Sequence, residues 1–296
     1  MHVLLTGASS FIGGHLAHHL LDAGHLVTAT YRRRNAAVDQ LAARARPPSL
    51  VSIDIADAAL LDRLPRAIDA IVHVAGVSIL PGVSADDMLA CNVVGTRNLL
   101  AYSQRAGATQ LVHASTVSVH GRIEEPEVDE TTPVRDPDLY GASKYLAERQ
   151  IAAEADRLPA VAVRLPGVLG PGAHRAWLPA LIQRLRRHED VTIYNPESPF
   201  NNAAHVDDLG RFVIGLLGQS WSGFHAFPIG ADGTMPVRCA VDTVAAAVGS
   251  RSRIEVSDPR QPNFTISSRF AERRFGYRPM PIGAMLTSYA TSPDPS

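Results

Sequence analysis

Lysine is almost absent from this chain of 296 residues, because Lys144 is the only lysine among its 28 basic residues. It stands four residues after Tyr140, in the run Tyr-Gly-Ala-Ser-Lys. Side chains at positions i and i+4 share one face of a helix, so the phenol and the amine can converge on one small volume. An ammonium beside a phenol favours its ionised form, which is what a general acid–base needs. The alternative is a surface tyrosine with an unrelated lysine.

Cysteine, excess charge and long apolar runs are also lacking. The two cysteines, Cys91 and Cys239, are far apart in the sequence, which argues against a disulfide framework or a zinc cluster and fits a reducing compartment. A formal net charge of -1 gives no basis for binding nucleic acid or a membrane surface. No apolar stretch reaches the roughly 18 to 20 residues of a membrane span, and a strand begins too early for a signal peptide. We expect a cytoplasmic protein with a small-molecule substrate and no nucleic-acid or membrane partner.

A metal site is not expected either. Three histidines of the first predicted helix, His15, His18 and His19, have the spacing i, i+3, i+4 and could together bind a metal ion. A partly solvated helix face explains the same pattern, and we favour that interpretation.

Short apolar runs alternate with amphipathic ones through the first half of the chain. The predicted strands are Val3–Leu5, Leu26–Tyr31, Leu50–Ile53, Ala70–Val74, Gln110–Ala114 and Val161–Leu165, and the predicted helices are Ile12–Ala23, Val38–Ala45, Ala58–Leu64, Ser84–Gln104 and Tyr140–Ala155. Continuous apolar strands that alternate with helices predict an α/β fold with a doubly wound parallel sheet. After Leu165, proline and glycine cluster and the segments become shorter.

A glycine-containing run, Thr6–Gly14, follows the first predicted strand and opens the first helix. In this context Gly7 permits a tight turn, Gly13 allows helix and strand to pack closely, and the helix amides can receive a pyrophosphate. Ser10 replaces the usual middle glycine, and its hydroxyl could itself donate to a phosphate oxygen. A purely structural turn is the alternative. The predicted cofactor contacts in this run are Gly7, Ser10, Phe11, Ile12 and Gly13.

The second predicted strand ends without a carboxylate that could bind a ribose diol. Arginines follow it instead, at Arg32–Arg34, and bidentate guanidinium suits a 2'-phosphate. We therefore expect NADP(H), with Arg32 as the leading contact and Arg33 as the second, although NAD(H) is possible and an exposed basic turn is the alternative. Asp54, with Ile55 beside it, follows the third strand and could accept from the adenine amino group. An ordinary turn aspartate explains Asp54 almost as well.

Several motifs in order extend this pattern along nearly the whole chain. They are Thr6–Gly13, His73–Gly76, Asn92–Leu100, Ser115–Gly121, Tyr140–Lys144, Arg164–Pro171, His205–Leu209 and Ser268–Ala271 followed by Phe275–Pro279. In these motifs the sequence resembles the extended short-chain dehydrogenase/reductase family, also called the NAD-dependent epimerase/dehydratase family. The resemblance implies a Rossmann sheet, a nicotinamide cofactor and an enzyme.

The resemblance also implies roles for the matching positions. Tyr140 would exchange a proton with the substrate oxygen, and Lys144 would hold the nicotinamide ribose hydroxyls and make the phenol easier to ionise. Thr116 aligns with the family's catalytic hydroxyl and would hydrogen-bond the same substrate oxygen. Its neighbour Ser115 is a possible stand-in.

Further expectations concern the cofactor's nicotinamide end and the assembly. Ala75 and Gly76 would line the nicotinamide side, and Pro166–Gly167 would cover the carboxamide. Residues 1–166, with 200–223 returning to them, would form the Rossmann domain, and residues 167–199 and 224–296 the substrate-binding region. The helices at 84–104 and 140–155 pair across a two-fold axis in many relatives, so a homodimer is expected.

Three reactions share this machinery, and departures from the family pattern separate them. A dehydratase typically carries Asp-Glu where this chain has Val117–Ser118, and neither residue can carry the proton. Nucleotide-sugar epimerases usually carry Asn at position 167 and Arg at position 201 to grip a diphosphate, where this chain has Gly167 and Asn201. We therefore expect an NADP-dependent oxidoreductase acting on a carbonyl or alcohol. The alternatives are a nucleotide-sugar 4-epimerase and a non-catalytic dinucleotide-sensing protein.

Overall fold

The computed structural model describes residues 1–79, 81–174, 177–257 and 263–292. Its strands are β1 (His2–Thr6), β2 (Leu26–Tyr31), β3 (Ser49–Ser52), β4 (Ala70–His73), β5 (Gln110–Thr116), β6 (Glu127–Val128), β7 (Ala160–Leu165), β8 (Gly167–Leu169), β9 (Val191–Ile193), β10 (Pro199–Phe200), β11 (Ala203–His205), β12 (Phe224–Pro228), β13 (Met235–Pro236), β14 (Ile254–Val256) and β15 (Thr265–Ile266).

The helices are α1 (Phe11–Asp22), α2 (Ala36–Ala42), α3 (Ala85–Leu89), α4 (Gly95–Ala106), α5 (Leu139–Ala153), α6 (Trp177–Arg186), α7 (Val206–Leu217), α8 (Val237–Ala247), α9 (Arg269–Phe275) and α10 (Ile282–Thr291). Two short 3-10 helices span Ala58–Arg63 and Val117–His120. A π-helical segment, Ala90–Val94, joins α3 to α4.

Contacts divide the chain into two compact units, and the first comprises Met1–Arg122, Pro133–Arg164 and Leu209–Phe227. Within the described residues its sheet has seven strands in the order β12-β7-β5-β4-β1-β2-β3. The pairs β1/β2, β2/β3, β1/β4 and β4/β5 are parallel. The predicted α/β fold with a doubly wound parallel sheet is confirmed.

Strand order reverses at β1, which lies between β4 and β2. The register pairs Thr6, the last residue of β1, with His73 of β4 on one side and Thr30 of β2 on the other. In an open parallel sheet the crevice outside the carboxyl ends of the strands at such a reversal is where ligands bind. The loops after β1 and β4 therefore mark the place to look for a site.

One face of this sheet is covered by α4 and α5. Leu4, Ile71 and Leu111, from β1, β4 and β5, are fully buried in a cluster with Leu99 of α4 and Ile151 of α5. These strand residues are apolar because the centre of a parallel sheet is buried on both faces. The packing holds α5 against β5, which matters because α5 carries Tyr140 and Lys144.

The second unit comprises the described residues of Ile123–Thr132, Leu165–Asp208 and Pro228–Ser296. Its strands form short pairs, of which β8/β11, β9/β14 and β6/β15 are parallel and β10/β13 is antiparallel. Its core brings together α6, α8 and α10, which contribute Ile182, Val241 and Leu286 to one buried cluster.

The predicted elements of the first half are present, with two differences in helix type. Residues 58–63 form a 3-10 helix, and Pro65 follows Leu64 closely, which disfavours the α conformation before it. The helix predicted over Ser84–Gln104 is interrupted by the π-helical turn at Ala90–Val94. Hydrophobic periodicity does not resolve such a turn, which is often associated with functional sites.

Within the described residues, no helix combines the length and the apolar character needed to cross a membrane.

Two helical glycines give a matched test of this packing. A Cβ at Gly141, in the first turn of α5, would lie 2.1 Å from the carbonyl oxygen of Ser118, whereas a Cβ at Gly215 of α7 would meet nothing within 4 Å. We expect Gly141→Ala to lower the free energy of unfolding by at least about 1–3 kcal/mol. We expect Gly215→Ala to raise it by up to about 1 kcal/mol, since alanine is the better helix former. Chemical denaturation measures both, and equal effects of the two substitutions would contradict the packing described.

Candidate active site

The loop after β1 packs directly on the loop after β4. Gly7 has a φ of +81°, and a Cβ there would lie 2.7 Å from the amide nitrogen of Ala75. A Cβ at Gly13 would lie 2.1 Å from the carbonyl oxygen of Gly7. The predicted close approach at Gly13 is thus made to the loop's own carbonyl, and not to a strand. A larger residue at Gly7 would push the two loops apart, and one at Gly13 would distort the loop after β1 itself.

Ser10 caps α1. Its Oγ accepts from the Gly13 amide at 3.0 Å and donates to the Gly7 carbonyl at 2.8 Å. Its proton is directed at the loop, and its expected donation to a phosphate oxygen stays a prediction. Because the Gly13 amide is also used by the cap, the helix amides that fit a pyrophosphate are those of Phe11 and Ile12, the first two of α1.

Thr6 joins the carboxyl ends of β1 and β4. Its Oγ1 accepts from the amides of Val74 at 3.2 Å and Ala75 at 3.1 Å, and it lies 2.8 Å from Nδ1 of His73. With both acceptor positions used, the Thr6 hydroxyl donates to Nδ1, so the proton of His73 is on Nε2. That nitrogen lies 3.0 Å from Thr96 Oγ1. Burial, with the charge of Lys144, lowers the pKa of His73 to about 3, in keeping with a neutral ring.

The chain of hydrogen bonds continues into the π-helical turn. Thr96 donates to the Asn92 carbonyl at 2.7 Å. The Asn92 side chain accepts from the Val77 amide at 2.7 Å and donates to the Val77 carbonyl at 2.8 Å and to Ser143 Oγ at 2.9 Å. A Cβ at Gly76 would lie 3.3 Å from Asn92 Oδ1. Asn92 therefore fixes the loop after β4 to α5.

Lys144 is nearly fully buried, with 3% of its surface exposed. Its Nζ donates to the Ala114 carbonyl at 2.7 Å and lies 3.0 Å from Nε2 of His113. A Cβ at Gly76 would be 3.8 Å from Nζ, so the amine borders the loop after β4. Burial lowers the pKa of Lys144 to about 8, against the raising effects of Glu148 and Cys91. The amine is still mostly protonated at neutral pH.

Tyr140 and Lys144 both lie in α5, one turn apart, and Tyr140 is half-buried. Asp138 is the N-cap of this helix, and its Oδ1 accepts from the Gly141 amide at 2.8 Å, which stabilises the turn that carries Tyr140. Thr116 ends β5, and its Oγ1 accepts from the Ser118 amide and donates to Ser118 Oγ, both at 3.2 Å. The carboxyl end of β5 and the first turns of α5 thus present the predicted hydroxyl and amine groups in one unit.

Ser115 belongs to a buried ionic cluster that lies one turn along α5 from Lys144. Its Oγ donates to Glu148 Oε1 at 2.5 Å. Arg164 binds the same carboxylate through two nitrogens, at 3.1 and 2.8 Å, and both partners of this ion pair are buried. Arg164 also lies 3.3 Å from Nε2 of His120. The contact gives Ser115 a structural partner, and its expected role as a stand-in for Thr116 stays a prediction.

The three arginines that follow β2 differ in how closely they are paired with an acidic side chain. Arg32 is half-exposed, with Nη1 3.9 Å from Asp54 Oδ2, and Arg33 is exposed. Arg34 is paired with Asp39, at 2.7 Å. The other oxygen of Asp54 accepts from the Ala56 amide at 2.9 Å.

The loop after β3 is held by a buried asparagine. Nδ2 of Asn98 donates to the carbonyls of Ile55 at 3.1 Å and Ala56 at 2.9 Å. The Ile55 side chain is buried in the core beside Gly95, where a Cβ would lie 2.7 Å from it. Only the backbone of Ile55 is therefore available to a cofactor.

Pro166 and Gly167 lie in the second unit, where Gly167 begins β8 and pairs with Ala203 of β11. Their contacts with a carboxamide stay a prediction. Asn201, in the same unit, is buried, and its amide accepts from the Ile266 amide and donates to the Ile266 carbonyl, both at 2.8 Å.

Three buried polar residues of the site region were not singled out from the sequence: His113, Glu148 and Asn98. Each interrupts an apolar pattern, as His113 does between Val112 and Ala114 in the central strand β5. A strand in the middle of the sheet is buried on both faces, so a polar side chain in it needs a hydrogen-bond partner. The occurrence of such a side chain in an apolar strand is the sequence signal by which His113 could have been found.

Comparisons with known proteins agree with this geometry. The model of the NAD dependent epimerase/dehydratase family matches residues 3–230. The chain belongs to this family. The resemblance inferred from the motifs is confirmed, and the relatives are nicotinamide-dependent enzymes of the extended short-chain type.

Individual relatives differ in what they act on. A 3 beta-hydroxysteroid dehydrogenase/Delta 5-->4-isomerase from Mycobacterium tuberculosis is 30% identical over 280 residues, which cover 90% of this chain and 72% of that protein. A UDP-glucose 4-epimerase from Azospirillum brasilense is 35% identical over 174 residues, 57% of this chain; the match spans 49%, about half, of that relative's length. The solved structure of MoeE5 in complex with UDP-glucuronic acid and NAD is 27% identical and covers 98% of both chains with a TM-score of 0.80.

The buried ion pair behind Ser115 gives a stability test. We expect Glu148→Gln to lower the free energy of unfolding by about 3–5 kcal/mol, because it leaves Arg164 buried without its counter-charge. The control is Asp242→Asn, which neutralises the exposed partner of Arg238 and should cost about 1 kcal/mol or less. Urea unfolding at neutral pH measures both. A loss for Glu148→Gln as small as that of the control would contradict the assigned role.

Proposed function

We propose that this protein is an NADP-dependent oxidoreductase that reduces a carbonyl or oxidises an alcohol, with Tyr140 as the general acid–base. The observation that carries the proposal is the buried ammonium of Lys144 beneath the face of α5 on which Tyr140 stands. Burying the chain's single lysine is costly, and such a cost is typical of a functional group and not of a surface pair.

Tyr140, Thr116 and Lys144 have separate roles in the proposed reaction. Tyr140 Oη gives a proton to the substrate oxygen on reduction, or takes one on oxidation, and Thr116 Oγ1 hydrogen-bonds the same oxygen as charge develops on it. Lys144 holds the ribose hydroxyls and stabilises the phenolate. When bound, the nicotinamide supplies or accepts the hydride. The amides of Phe11 and Ile12, the first two of α1, would receive the pyrophosphate, and Gly7 and Gly13 allow the close packing of the loop that presents them.

Family membership does not distinguish NADP(H) from NAD(H), and NAD is the cofactor in the MoeE5 complex. It is supported by the residues after β2, where Arg32 and Arg33 are exposed and the strand ends in Tyr31 without a carboxylate. Two guanidinium groups suit a 2'-phosphate, whereas a ribose diol is best bound by an acid.

Two residues of the second unit, Asn201 and Gly167, bear on the substrate class. Asn201 occupies the position where a diphosphate-binding arginine is expected in nucleotide-sugar epimerases, and both ends of its amide are used by Ile266. Gly167 offers no side chain at the other such position. A substrate without a diphosphate fits these residues better, and the hydroxysteroid dehydrogenase relative covers most of the chain.

A nucleotide-sugar 4-epimerase is the second candidate, supported by the 35% identity to the UDP-glucose 4-epimerase. A cofactor-sensing protein without turnover is the third, and the presence of Tyr140, Lys144 and Thr116 speaks against it.

We also propose a cytoplasmic homodimer built on the helices that carry the exposed Leu89 and Leu146, with the second unit as the substrate-binding region.

Replacing the phenol tests the reaction. We expect Tyr140→Phe to lower kcat for NADPH-dependent reduction of a carbonyl panel by about 100- to 10,000-fold, the usual contribution of a general acid, while the Kd for NADPH changes little. The matched control is Tyr145→Phe, five residues further along α5, which should keep wild-type turnover. Full activity of Tyr140→Phe would refute the proposal. Turnover of a nucleotide sugar without net change in cofactor would instead establish the epimerase.

Replacing the exposed arginine tests the cofactor. We expect Arg32→Ala to raise the Kd for NADPH about tenfold or more, the loss of one charge-assisted contact, with little effect on NADH. Arg34→Ala is the control in the same run, because Arg34 is already paired with Asp39. Fluorescence titration of both cofactors measures the difference. Equal weakening of NADPH and NADH would contradict the 2'-phosphate contact.

A further inference from the structure

His113 is a fully buried imidazole in the middle of the sheet, and none of the roles described so far uses it. Its Nε2 lies 3.0 Å from Nζ of Lys144. Its Nδ1 is buried and makes no hydrogen bond of good geometry within the part of the chain that the structure describes, although the backbone of His73 lies near enough to favour a proton on the ring. A half-satisfied polar ring in an apolar strand is destabilising, so its presence calls for a compensating role.

The proton arrangement around Lys144 indicates what that role is. An ammonium has three N–H donors and no acceptor, so the close approach of Nε2 requires that nitrogen to accept. The proton of His113 is then on Nδ1, and the ring is neutral. Burial and the charges of Lys144 and His73 hold the pKa of His113 well below its ordinary value, which agrees with a neutral acceptor. The ring of His73 lies 4.9 Å away.

Two of the three Lys144 donors are thereby assigned. One goes to the Ala114 carbonyl at 2.7 Å and one to His113 Nε2 at 3.0 Å. The third remains for the side of the amine that borders Gly76, the residue expected to line the nicotinamide. A single acceptor would leave the ammonium free to rotate, whereas two acceptors fix the direction of the third N–H.

We propose that His113 is a positioning residue for the reaction, which orients the Lys144 ammonium by accepting one of its protons and keeps the third N–H directed at the ligand. The proposal rests on the proposed function, in which Lys144 meets the ribose and the phenolate. His113 itself is not expected to touch substrate.

Other groups that face Lys144 must be considered in any test that titrates it. Glu148 and Tyr140 lie one turn away on α5, Cys91 faces it from the π-helical turn, and His73 faces it from β4. Glu148 favours the ammonium, while its own charge is shared with Arg164. With these groups unchanged, loss of the His113 acceptor favours the neutral amine.

The single lysine makes a direct experiment possible. In protein labelled with 15N- and 13C-lysine and free of tag lysines, one Nζ signal and one Cε signal report the titration of Lys144 alone. We expect a wild-type midpoint near the pKa of about 8. His113→Leu should lower this midpoint by about one unit or more, the effect of one lost hydrogen bond to a charged group. His113→Gln, whose amide oxygen can accept, should restore most of the shift.

A matched control comes from the same strand. Gln110→Leu replaces another buried polar side chain of β5, which bonds to the Leu217 carbonyl and not to Lys144, and it should leave the midpoint unchanged. If His113→Leu does not fold, His113→Met takes its place beside His113→Gln. An unchanged midpoint in the apolar variant, or equal midpoints in the Gln and apolar variants, would overturn the proposal.

Kinetics separate this proposal from the proposed function. The alkaline limb of kcat should move to lower pH in His113→Leu by the same amount as the lysine midpoint, and return in His113→Gln. A purely structural role would lower activity at every pH without moving the limb, and that result would overturn the proposal. Since the lysine titration needs no substrate, a shifted midpoint in a protein without any reductase activity would sink the proposed function and leave the contact between His113 and Lys144 established.

Discussion

The site depends on one buried ammonium group, that of Lys144, which lies between α5 and β5. Transfer of a cation from water into a protein interior is expensive unless acceptors and a counter-charge surround it. Here the acceptors are Ala114 and His113 of β5, and the counter-charge is Glu148, one turn further along α5. Arginine could not replace Lys144, because a planar guanidinium has a different shape and five fixed donors. The chain otherwise uses arginine alone for its basic residues, which makes this exception informative.

The surrounding polar groups form a scaffold that fixes the strand ends. Thr6, His73 and Thr96 connect β1 and β4 to the helix that follows, and Asn92 carries the connection to α5 through Ser143. Such a network is strong when each member is satisfied, because every bond lies in a low dielectric. It gives the loops after β1 and β4 fixed positions, as a site that must orient a reactive group requires.

Most features that depend on residues close together in the sequence could be predicted from it, and features that depend on residues far apart could not. Strand and helix positions depend on local apolar periodicity, and the placement of Tyr140 and Lys144 on one helix depends on a single turn, so both could be predicted. The capping role of Ser10 could not be predicted, because its hydroxyl oxygen reaches the Gly13 amide only in the conformation that the loop adopts. His113 and Lys144 are 31 residues apart, and their contact depends on how α5 packs on β5. Contacts of that range leave no local pattern.

The burial of Asn201 bears on the substrate class. A missing arginine could mean that a charge was simply lost, yet Asn201 is buried and both polar atoms of its amide bind the backbone of Ile266, 65 residues away. The position therefore has a structural function of its own, joining two distant segments of the second unit. Arginine there would lose this paired contact and bring an uncompensated charge into a buried place. A diphosphate would have to be held by other residues, so the departure at Asn201 argues against a nucleotide-sugar substrate more strongly than the sequence difference alone.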